Sequence, residues 1–329
     1  MTQSSAALRN ALIAAGILVF ACGAATSATA QGYPHSTVKM IVPTTAGGAV
    51  DAFARGIGRR LEQAFGITVV VENKAGANGV IGAEFVARSP ADGSTLMVIF
   101  PSHVLNPLFT KNVPFDPIND FAPVIRIGNI PLILVTHPGV PVTSVSDLIA
   151  LAKAQPGKLL FASGGVGSAG HLSGELFKFL SKTDVQHVVY RGNAVALTDV
   201  LGGHVSMMFD TITTGLQHTK DGKLKLLAVT TAQRSPLLPD TPTMSEAALP
   251  GFDTSAWYAV LAPARTPRPV SDMRNAELNK AFADPACRDQ CAAQGVQFVG
   301  GSADDLGAFM RIESKRWGEV IESTGMKAQ

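Results

Sequence analysis

The chain has 329 residues, with 27 Lys and Arg against 25 Asp and Glu and a formal net charge of +2. Its basic residues are scattered along the sequence, which argues against a nucleic-acid-binding surface because such surfaces concentrate positive charge in a patch or stripe. After the first thirty residues, no segment reaches the roughly 18 uninterrupted apolar residues of a membrane-spanning helix.

The N-terminus has the layout of a cleavable signal peptide. Arg9 precedes an apolar run at residues 11–21, and residues 28–30 read AxA, the pattern of a cleavage site. We therefore predict a signal peptide at residues 1–30 and a periplasmic location for the mature chain. A lipoprotein site at Cys22 is the alternative interpretation.

β-rich runs alternate with helical patterns along the rest of the chain, which predicts an α/β fold whose mainly parallel sheets are flanked by helices. In the first series, strands are predicted at residues 38–42, 69–72 and 95–100, with one helix that ends at Phe65 and another at residues 80–88. Pro101 and Pro107 predict a loop after the third strand.

The second series predicts strands at residues 132–136, 159–162, 187–190, 205–209 and 224–229, with helices at 145–154, 172–180 and 195–201. The proline-rich stretch 235–250 predicts a surface connection, and a strand at 257–261 then leads into helical patterns. A mature chain of this length is near the size at which one core divides into two. We predict a two-lobed fold with residues 31–128 and 233–329 in lobe 1, residues 129–232 in lobe 2, and a ligand cleft between the lobes.

Two cysteines follow the predicted cleavage site, Cys287 and Cys291, at i,i+4 spacing on a predicted helix. Consecutive helical turns seldom provide the torsion angle of a disulfide, so we favour two buried small apolar residues, with a bridge as the alternative. The pair has no further ligands nearby and does not indicate a metal site.

A glycine-rich turn that carries hydroxyl groups joins a strand to a helix once in each series. Glycine lets the backbone approach a ligand closely, and the free N–H groups of a first helical turn bind anions. Two such turns facing one cleft suit a ligand with carboxylates. The candidate binding residues are Thr44, Thr45, Ala46, Gly47 and Gly48 in the first turn and Ser163, Gly165, Gly167 and Ser168 in the second.

Further candidates lie at other strand and helix ends, where open α/β sheets place their ligand crevice. Ser102 follows a strand, and His171 lies in the first turn of a helix. Arg191 is suited to pair with a carboxylate, whereas Asp210 repels one and is suited to an amine or a hydroxyl. His103, Asn106, Tyr190 and Trp257 are further candidates at such ends, and Asp51 is interpreted as a helix cap.

Two enzymatic alternatives are weaker. The run at residues 165–170 fits the GxGxxG pattern of dinucleotide sites, but the next strand ends without the acidic residue that binds the ribose. Ser168 with His171 resembles part of a hydrolase site, yet Val166 stands where the nucleophile elbow needs glycine. We expect no catalytic residue, cofactor or metal.

The segments VKMIVP, AGGAVD, VVVENKAGANG, NPLFTKNVPFDPINDFAPV, GKLLFASGGVGSAGHLSGELF and LLAVTTAQRSPLLPDTPTMSEAALPGF occur in an order that resembles the periplasmic receptors of tripartite tricarboxylate transporters, the Bug or TctC-type family. The resemblance covers nearly the whole mature chain. It implies a Venus-flytrap receptor that holds a carboxylate between the two glycine-rich turns and docks on a large and a small membrane subunit. We expect a monomer, with a signalling receptor as the alternative role.

Three positions, in two places, depart from the pattern of the family. Thr44 and Thr45 stand where a Phe and a Pro often precede AGG, and Arg191 stands where Lys is frequent. We predict that the added hydroxyls retune the preference among carboxylates.

Overall fold

The computed structural model describes residues 36–47, 49–293 and 295–324. The predicted signal peptide and the candidate Gly48 lie outside these ranges. Within them, no helix is long and apolar enough to span a membrane.

Strands and helices alternate through the first part of the described chain. The elements are β1 (Thr37–Val42), α1 (Ala49–Phe65), β2 (Thr68–Asn73), α2 (Val80–Ala87), β3 (Thr95–Ile99), α3 (Ser102–Phe109) and β4 (Phe121–Thr136). The alternation continues with α4 (Val145–Ala154), β5 (Leu160–Ser163), α5 (Ala169–Ser181), β6 (Gln186–Val189), α6 (Asn193–Leu201), β7 (Met207–Thr211), α7 (Ile212–Lys220) and β8 (Lys225–Val229). The last elements are α8 (Met244–Ala247), β9 (Ser255–Pro263), α9 (Arg268–Ala283), α10 (Pro285–Ala293), β10 (Gln297–Phe298) and α11 (Ala303–Thr324).

The strands form two mixed sheets that share the long strand β4. Sheet A has the order β2-β1-β3-β9-β4, with β1 parallel to β2 and β3, and with β9 antiparallel to its two neighbours. Sheet B has the order β4-β7-β5-β6, with β5 parallel to β6 and β7, and with β4 antiparallel to β7. Each sheet therefore contains a parallel trio whose middle strand, β1 or β5, comes first in the chain.

Strand β4 passes from one sheet to the other within a single residue step. It pairs with β9 as far as Pro131 and with β7 from Leu132 onwards. The returning segment is tied to this point by Thr230, whose N–H and hydroxyl both contact Leu132 and whose hydroxyl also donates to the carbonyl of Thr254 at 2.7 Å. The crossing segments are thus joined at one buried threonine.

Helix α1 shows how the sequence pattern produces the packing. Val50, Ala54, Ile57 and Leu61 lie on one face and are all buried, as the 3.6-residue period requires. Gly58 faces β2 so closely that a Cβ there would lie 3.1 Å from the side chain of Val69. The helix therefore lies flat against the edge of sheet A.

Three sequence predictions need correction. The predicted loop at Pro101 and Pro107 is helix α3, in which the burial of Val104, Leu105 and Phe109 offsets the missing N–H of Pro107. Strand β4 begins eleven residues before the predicted 132–136, because its two prolines interrupt the apolar pattern. Helix α7 was not predicted, since only Ile212 and Gly215 of its nine residues are buried.

The cysteine prediction is confirmed for one residue. Cys287 is buried and free, as expected for a small apolar residue. The side chain of Cys291 lies outside what the structure describes.

Candidate functional site

The two glycine-rich turns occupy equivalent places in the two sheets. Each follows the middle strand of a parallel trio, β1 or β5, and leads into a helix, α1 or α5. The carboxyl ends of such strands are where open α/β sheets bind ligands. The predicted pairing of the two turns is therefore present in the topology.

A contact joins the sheet A side of the site to the turn of sheet B. The Nδ2 of Asn78 donates to the carbonyl of Val166 at 2.9 Å and to Oδ1 of Asn106 at 3.1 Å. Residues 76–79 all have positive φ, including Ala77 at 44° and Asn78 at 53°. This left-handed segment is costly for residues other than glycine, and asparagine is the residue type that best tolerates it.

The first turn is organised by Asp51 and leaves its outer residues open to solvent. Thr45, Ala46 and Gly47 are exposed, and the N–H of Gly47 donates to Asp51 at 3.0 Å. Asp51 also accepts from Arg55 and Asn73 and is only 4% exposed. The Arg55 guanidinium, followed by the Gly47 and Asn73 donors, lowers the pKa of Asp51 to about 2.

Thr44 begins this turn and has an unusual hydroxyl. Its carbonyl accepts from Nδ2 of Asn73 at 3.1 Å, which fixes the backbone. Its Oγ1 is buried and has no hydrogen-bond partner among the described residues. A buried hydroxyl without a partner costs free energy, so this group is a natural contact for a ligand or a water molecule.

The second turn is held from inside by polar side chains. Ser163 Oγ lies 2.7 Å from Nε2 of His187 and 3.3 Å from the N–H of Gly165. The N–H of Gly167 donates to Nδ1 of His171 at 3.0 Å. Gly165 and Gly167 have φ values of 147° and 74°, so the turn requires glycine at both positions.

Helix α5 begins with N–H groups for which the described residues supply no acceptor. Ser168 caps the helix through a 3.3 Å bond from the N–H of His171 to its Oγ. In the described part of the chain, the N–H groups of Ala169 and Gly170 have no hydrogen-bond partner. Two free donors at the positive end of a helix are the chemistry that binds a carboxylate.

His171 and His187 form a stacked histidine pair with ring centroids 4.4 Å apart. Burial and the neighbouring His187 lower the pKa of His171 to about 3. Burial lowers the pKa of His187 to about 4. The pair is therefore neutral at physiological pH and supports the turn through hydrogen bonds and packing without adding charge to the site.

Asp210 lies at the end of β7 and is fully buried. Its Oδ1 accepts from Asn193 Nδ2, from the Thr211 N–H at 2.8 Å and from Thr214 Oγ1 at 2.7 Å. Its Oδ2 is buried without a partner among the described residues, and burial raises the pKa of Asp210. This carboxyl therefore holds the first turn of α6 in place through Asn193.

The other predicted residues are placed differently. Ser102 is buried and donates to the carbonyl of Asn78 at 3.3 Å, so it supports the left-handed segment. Arg191 is exposed and lies beside the second turn. The N–H of the next residue, Gly192, donates to the carbonyl of Gly164 in that turn at 3.1 Å. His103 is a core residue, packed against Phe115 and Phe121.

Sequence reasoning missed Asn78, Asn193 and His187. Asn78 carried a usable signal, because an Asn-Gly pair after a strand indicates a left-handed turn. The contacts of Asn193 and His187 join parts of the chain 17 and 24 residues apart, and no local pattern indicates them.

Comparison with known proteins gives a consistent match. Residues 53–326 match the model of the tripartite tricarboxylate transporter family receptor. The chain is 37% identical over 314 residues to the protein BugT of Bordetella pertussis. The alignment covers 95% of this chain and 96% of that protein.

Solved structures agree with this match. An R. palustris protein determined with adipate has a TM-score of 0.83 and 35% identity, and the alignment covers 89% of this chain and 98% of that one. MatC from Rhodopseudomonas palustris, determined with bound malate, has a TM-score of 0.78 and 30% identity over 88% of this chain and 100% of that one.

Proposed function

Because this chain belongs to the tripartite tricarboxylate transporter receptor family, we propose that it is a periplasmic receptor that binds a small carboxylate between its two glycine-rich turns and delivers it to a membrane transporter. The adipate and malate in the two similar structures support a carboxylate as the ligand of this chain. The geometry of this chain supports a binding site between the two turns.

The observation that carries the proposal is the free helix end of the second turn. The unpaired N–H groups of Ala169 and Gly170 supply donors for one carboxylate. The buried hydroxyl of Thr44 supplies a donor on the opposite side. Each helix end contributes only about 0.3 to 1 kcal/mol electrostatically, so several hydrogen bonds in a closed cleft are needed together.

The proposed lobes follow the two sheets. Residues 31–128 with 233–329 form lobe 1 around sheet A, and residues 129–232 form lobe 2 around sheet B. The change of partners along β4 at Pro131 and Leu132 supports a boundary near residue 129. The contact from Asn78 to Val166 then crosses the cleft and stabilises a closed arrangement of the lobes.

The candidate residues divide into two roles in this proposal. Thr44, Thr45, Ala46 and the start of α5 contact the ligand, and Arg191 attracts its charge from the rim. Ser163, Gly165, Gly167, Ser168 and His171 shape the second turn from within, while Ser102 and Asp210 hold neighbouring segments.

We propose no catalytic role for the polar residues of the turns. Ser168 Oγ caps α5, and Nδ1 of His171 is occupied by the N–H of Gly167. Ser163 and His187 do form a close serine–histidine contact, but Ser163 is 1% exposed, and no carboxylate among the described residues orients His187. A hydrolase needs such an orienting acid and an accessible nucleophile.

The proposed partners are a large and a small membrane subunit, with a monomeric receptor between them. A receptor that feeds a signalling system is the alternative within the same binding class. Deleting the genes for the membrane subunits separates the two, since uptake of the ligand is lost only if this chain serves transport.

A thermal-shift screen of the mature protein tests the ligand class. A ligand that binds only the folded state raises stability by RT ln(1 + [L]/Kd), about 2.7 kcal/mol at a hundred times Kd. We expect saturable shifts with dicarboxylates or tricarboxylates and none with sugars or nucleotides. Shifts with a sugar or nucleotide and none with any carboxylate contradict the proposal.

A further inference from the structure

A polar cavity lies against the crossing strands and borders the start of α5 at Ala169. Its volume is about 270 Å³, and it is bounded by β4, β9, the side of α5 that carries Ala169 and Leu172, and the last helix α11. The functional residues on its wall are Arg126, Asn129, Trp257, Glu313, Arg316 and Trp317. We call this cavity the Arg126 pocket.

Arg126 is a half-buried cation with few partners. Its Nη2 donates to Oδ1 of Asn129 at 2.8 Å, and its guanidinium lies 3.5 Å from the centre of the Phe309 ring. Its Nε is buried without a hydrogen-bond partner among the described residues. A guanidinium has five N–H donors, so most of the donor capacity of Arg126 is unused.

Glu313 supplies the matching negative charge, and its two carboxylate oxygens differ in their hydrogen bonds. Its Oε2 accepts from the indole N–H groups of Trp257 at 3.1 Å and Trp317 at 3.3 Å. Its Oε1 accepts no hydrogen bond from a described residue and lies 3.8 Å from Nη1 of Arg316, in an ion pair longer than a hydrogen bond. Glu313 is 9% exposed, so this oxygen lies in a restricted space.

The charges of the pocket balance each other. Arg126 and Arg316 are matched by Glu313 and by Asp253, which also lines the pocket. A dianion in this pocket is repelled by two carboxylates, and a dication is repelled by two guanidinium groups. A molecule with one carboxylate and one ammonium group satisfies both signs, and the indole, phenyl and leucine walls accommodate a small apolar side chain.

We infer that the Arg126 pocket is a second binding site beside the carboxylate cleft, which it meets at Ala169, and that it takes a small neutral α-amino acid. The carboxylate of the ligand accepts from the Arg126 guanidinium, and its ammonium group donates to Oε1 of Glu313. Residues of β4, β9, α5 and α11 line the pocket, so an occupant contacts the crossing strands and the two helices beside them.

The chain provides its own reporter for this site. Its sequence contains two tryptophans, and both line the Arg126 pocket. Intrinsic tryptophan emission of the mature protein is therefore recorded during titration with glycine, L-alanine, L-valine and L-leucine. Propionate and ethylamine serve as controls, since each retains only one of the two charged groups of alanine.

We expect a saturable change in emission with at least one of these amino acids and none with propionate or ethylamine. Arg126→Met removes the charge while keeping a long side chain over Phe309, and it weakens the response at least about tenfold, as expected for a hydrogen bond to a charged group. Glu313→Gln keeps an acceptor for both indoles and weakens the response by a similar factor. Asp147→Asn, in the first turn of α4 and outside both sites, leaves the response unchanged.

Three results overturn the inference. One is the absence of a saturable response to any of the four amino acids at millimolar concentration in the wild-type protein. Another is an equal response to propionate alone, which makes the pocket a simple anion site. The third is a response that survives unchanged in both pocket variants, which assigns the signal to another site. The wild-type titrations decide the matter even if a variant does not fold, and failure of the carboxylate screen leaves this test intact.

Discussion

The hydrogen bonds that Asp51 accepts shape the first turn and also lower the pKa of its carboxyl group. Its carboxylate accepts from the Gly47 N–H at 3.0 Å, from Arg55 at 3.0 and 3.1 Å and from Asn73 at 3.0 Å. These contacts lower its pKa from 3.8 to about 2, and one pKa unit corresponds to about 1.36 kcal/mol. Since Arg55 is half-exposed and solvent screens its charge, we expect Asp51→Asn to lower the free energy of unfolding by about 1 to 2 kcal/mol.

The pH dependence gives this prediction a sign. The folded-state pKa of Asp51 lies below its unfolded value, so its stabilisation is complete above about pH 4 and is lost as the pH falls toward 2. Thermal melts of the wild-type protein and of Asp51→Asn should differ by roughly 2 to 4 °C at pH 7 and should converge as the pH falls below 4. A difference that does not change with pH, or no difference at pH 7, refutes this reasoning.

A matched control comes from the other sheet. Asp147 lies in the first turn of α4 and accepts from the N–H and hydroxyl of Thr143, which lowers its pKa in the same direction. Asp147→Asn should lower the melting temperature without changing ligand affinity. Asp51→Asn should also weaken carboxylate binding, because it releases the turn at Gly47.

The remaining predictions concern the second turn and the contact across the cleft. The stacked histidine pair stays neutral in the folded state, whereas the same histidines in the unfolded chain gain protons below about pH 6.5. The melting temperature should therefore fall as the pH is lowered from 6.5 to 4, and replacing both histidines with Gln should reduce this dependence on pH. Gly170→Ala places a Cβ 2.8 Å from the carbonyl of Phe209, so calorimetric titration should show weaker binding and thermal melts a lower stability, whereas an unchanged affinity counts against a ligand at the start of α5. Asn78→Gly keeps the left-handed backbone while removing the bonds from Nδ2 to Val166 and Asn106, and it should weaken ligand binding about three- to tenfold, whereas unchanged affinity means that this contact does not favour the closed form.

Local periodicity explains which parts of the fold the sequence predicts well. The predicted helix at 145–154 agrees with α4 at both ends, because Ser144 caps it and Val145, Leu148 and Ala152 form a buried stripe. Helix α7 cannot be predicted in this way, because its polar sequence has no such buried stripe. It is held by its neighbours, with a Cβ at Gly215 only 2.9 Å from Ile133 of β4.

The two glycine-rich turns are recognisable in sequence because glycine, serine and threonine cluster between a strand and a helix. What the sequence does not reveal is which polar atoms are already occupied. His171 is predicted as a ligand contact, yet its Nδ1 already accepts from the N–H of Gly167. Asp51, interpreted as a helix cap, accepts from the N–H of Gly47 in the preceding turn. Such assignments depend on side chains that meet only after folding.

The measurement that tests the central claim most directly is isothermal titration of the mature protein with the carboxylic acid that gives the largest thermal shift. Wild-type protein should bind it with one site per chain. Ser163→Ala, which loosens the second turn, and Thr44→Val, which removes the unpaired hydroxyl of the first, should each weaken binding several-fold while Asp147→Asn binds normally. Equal affinity in all four proteins contradicts the claim that the ligand lies between the two turns.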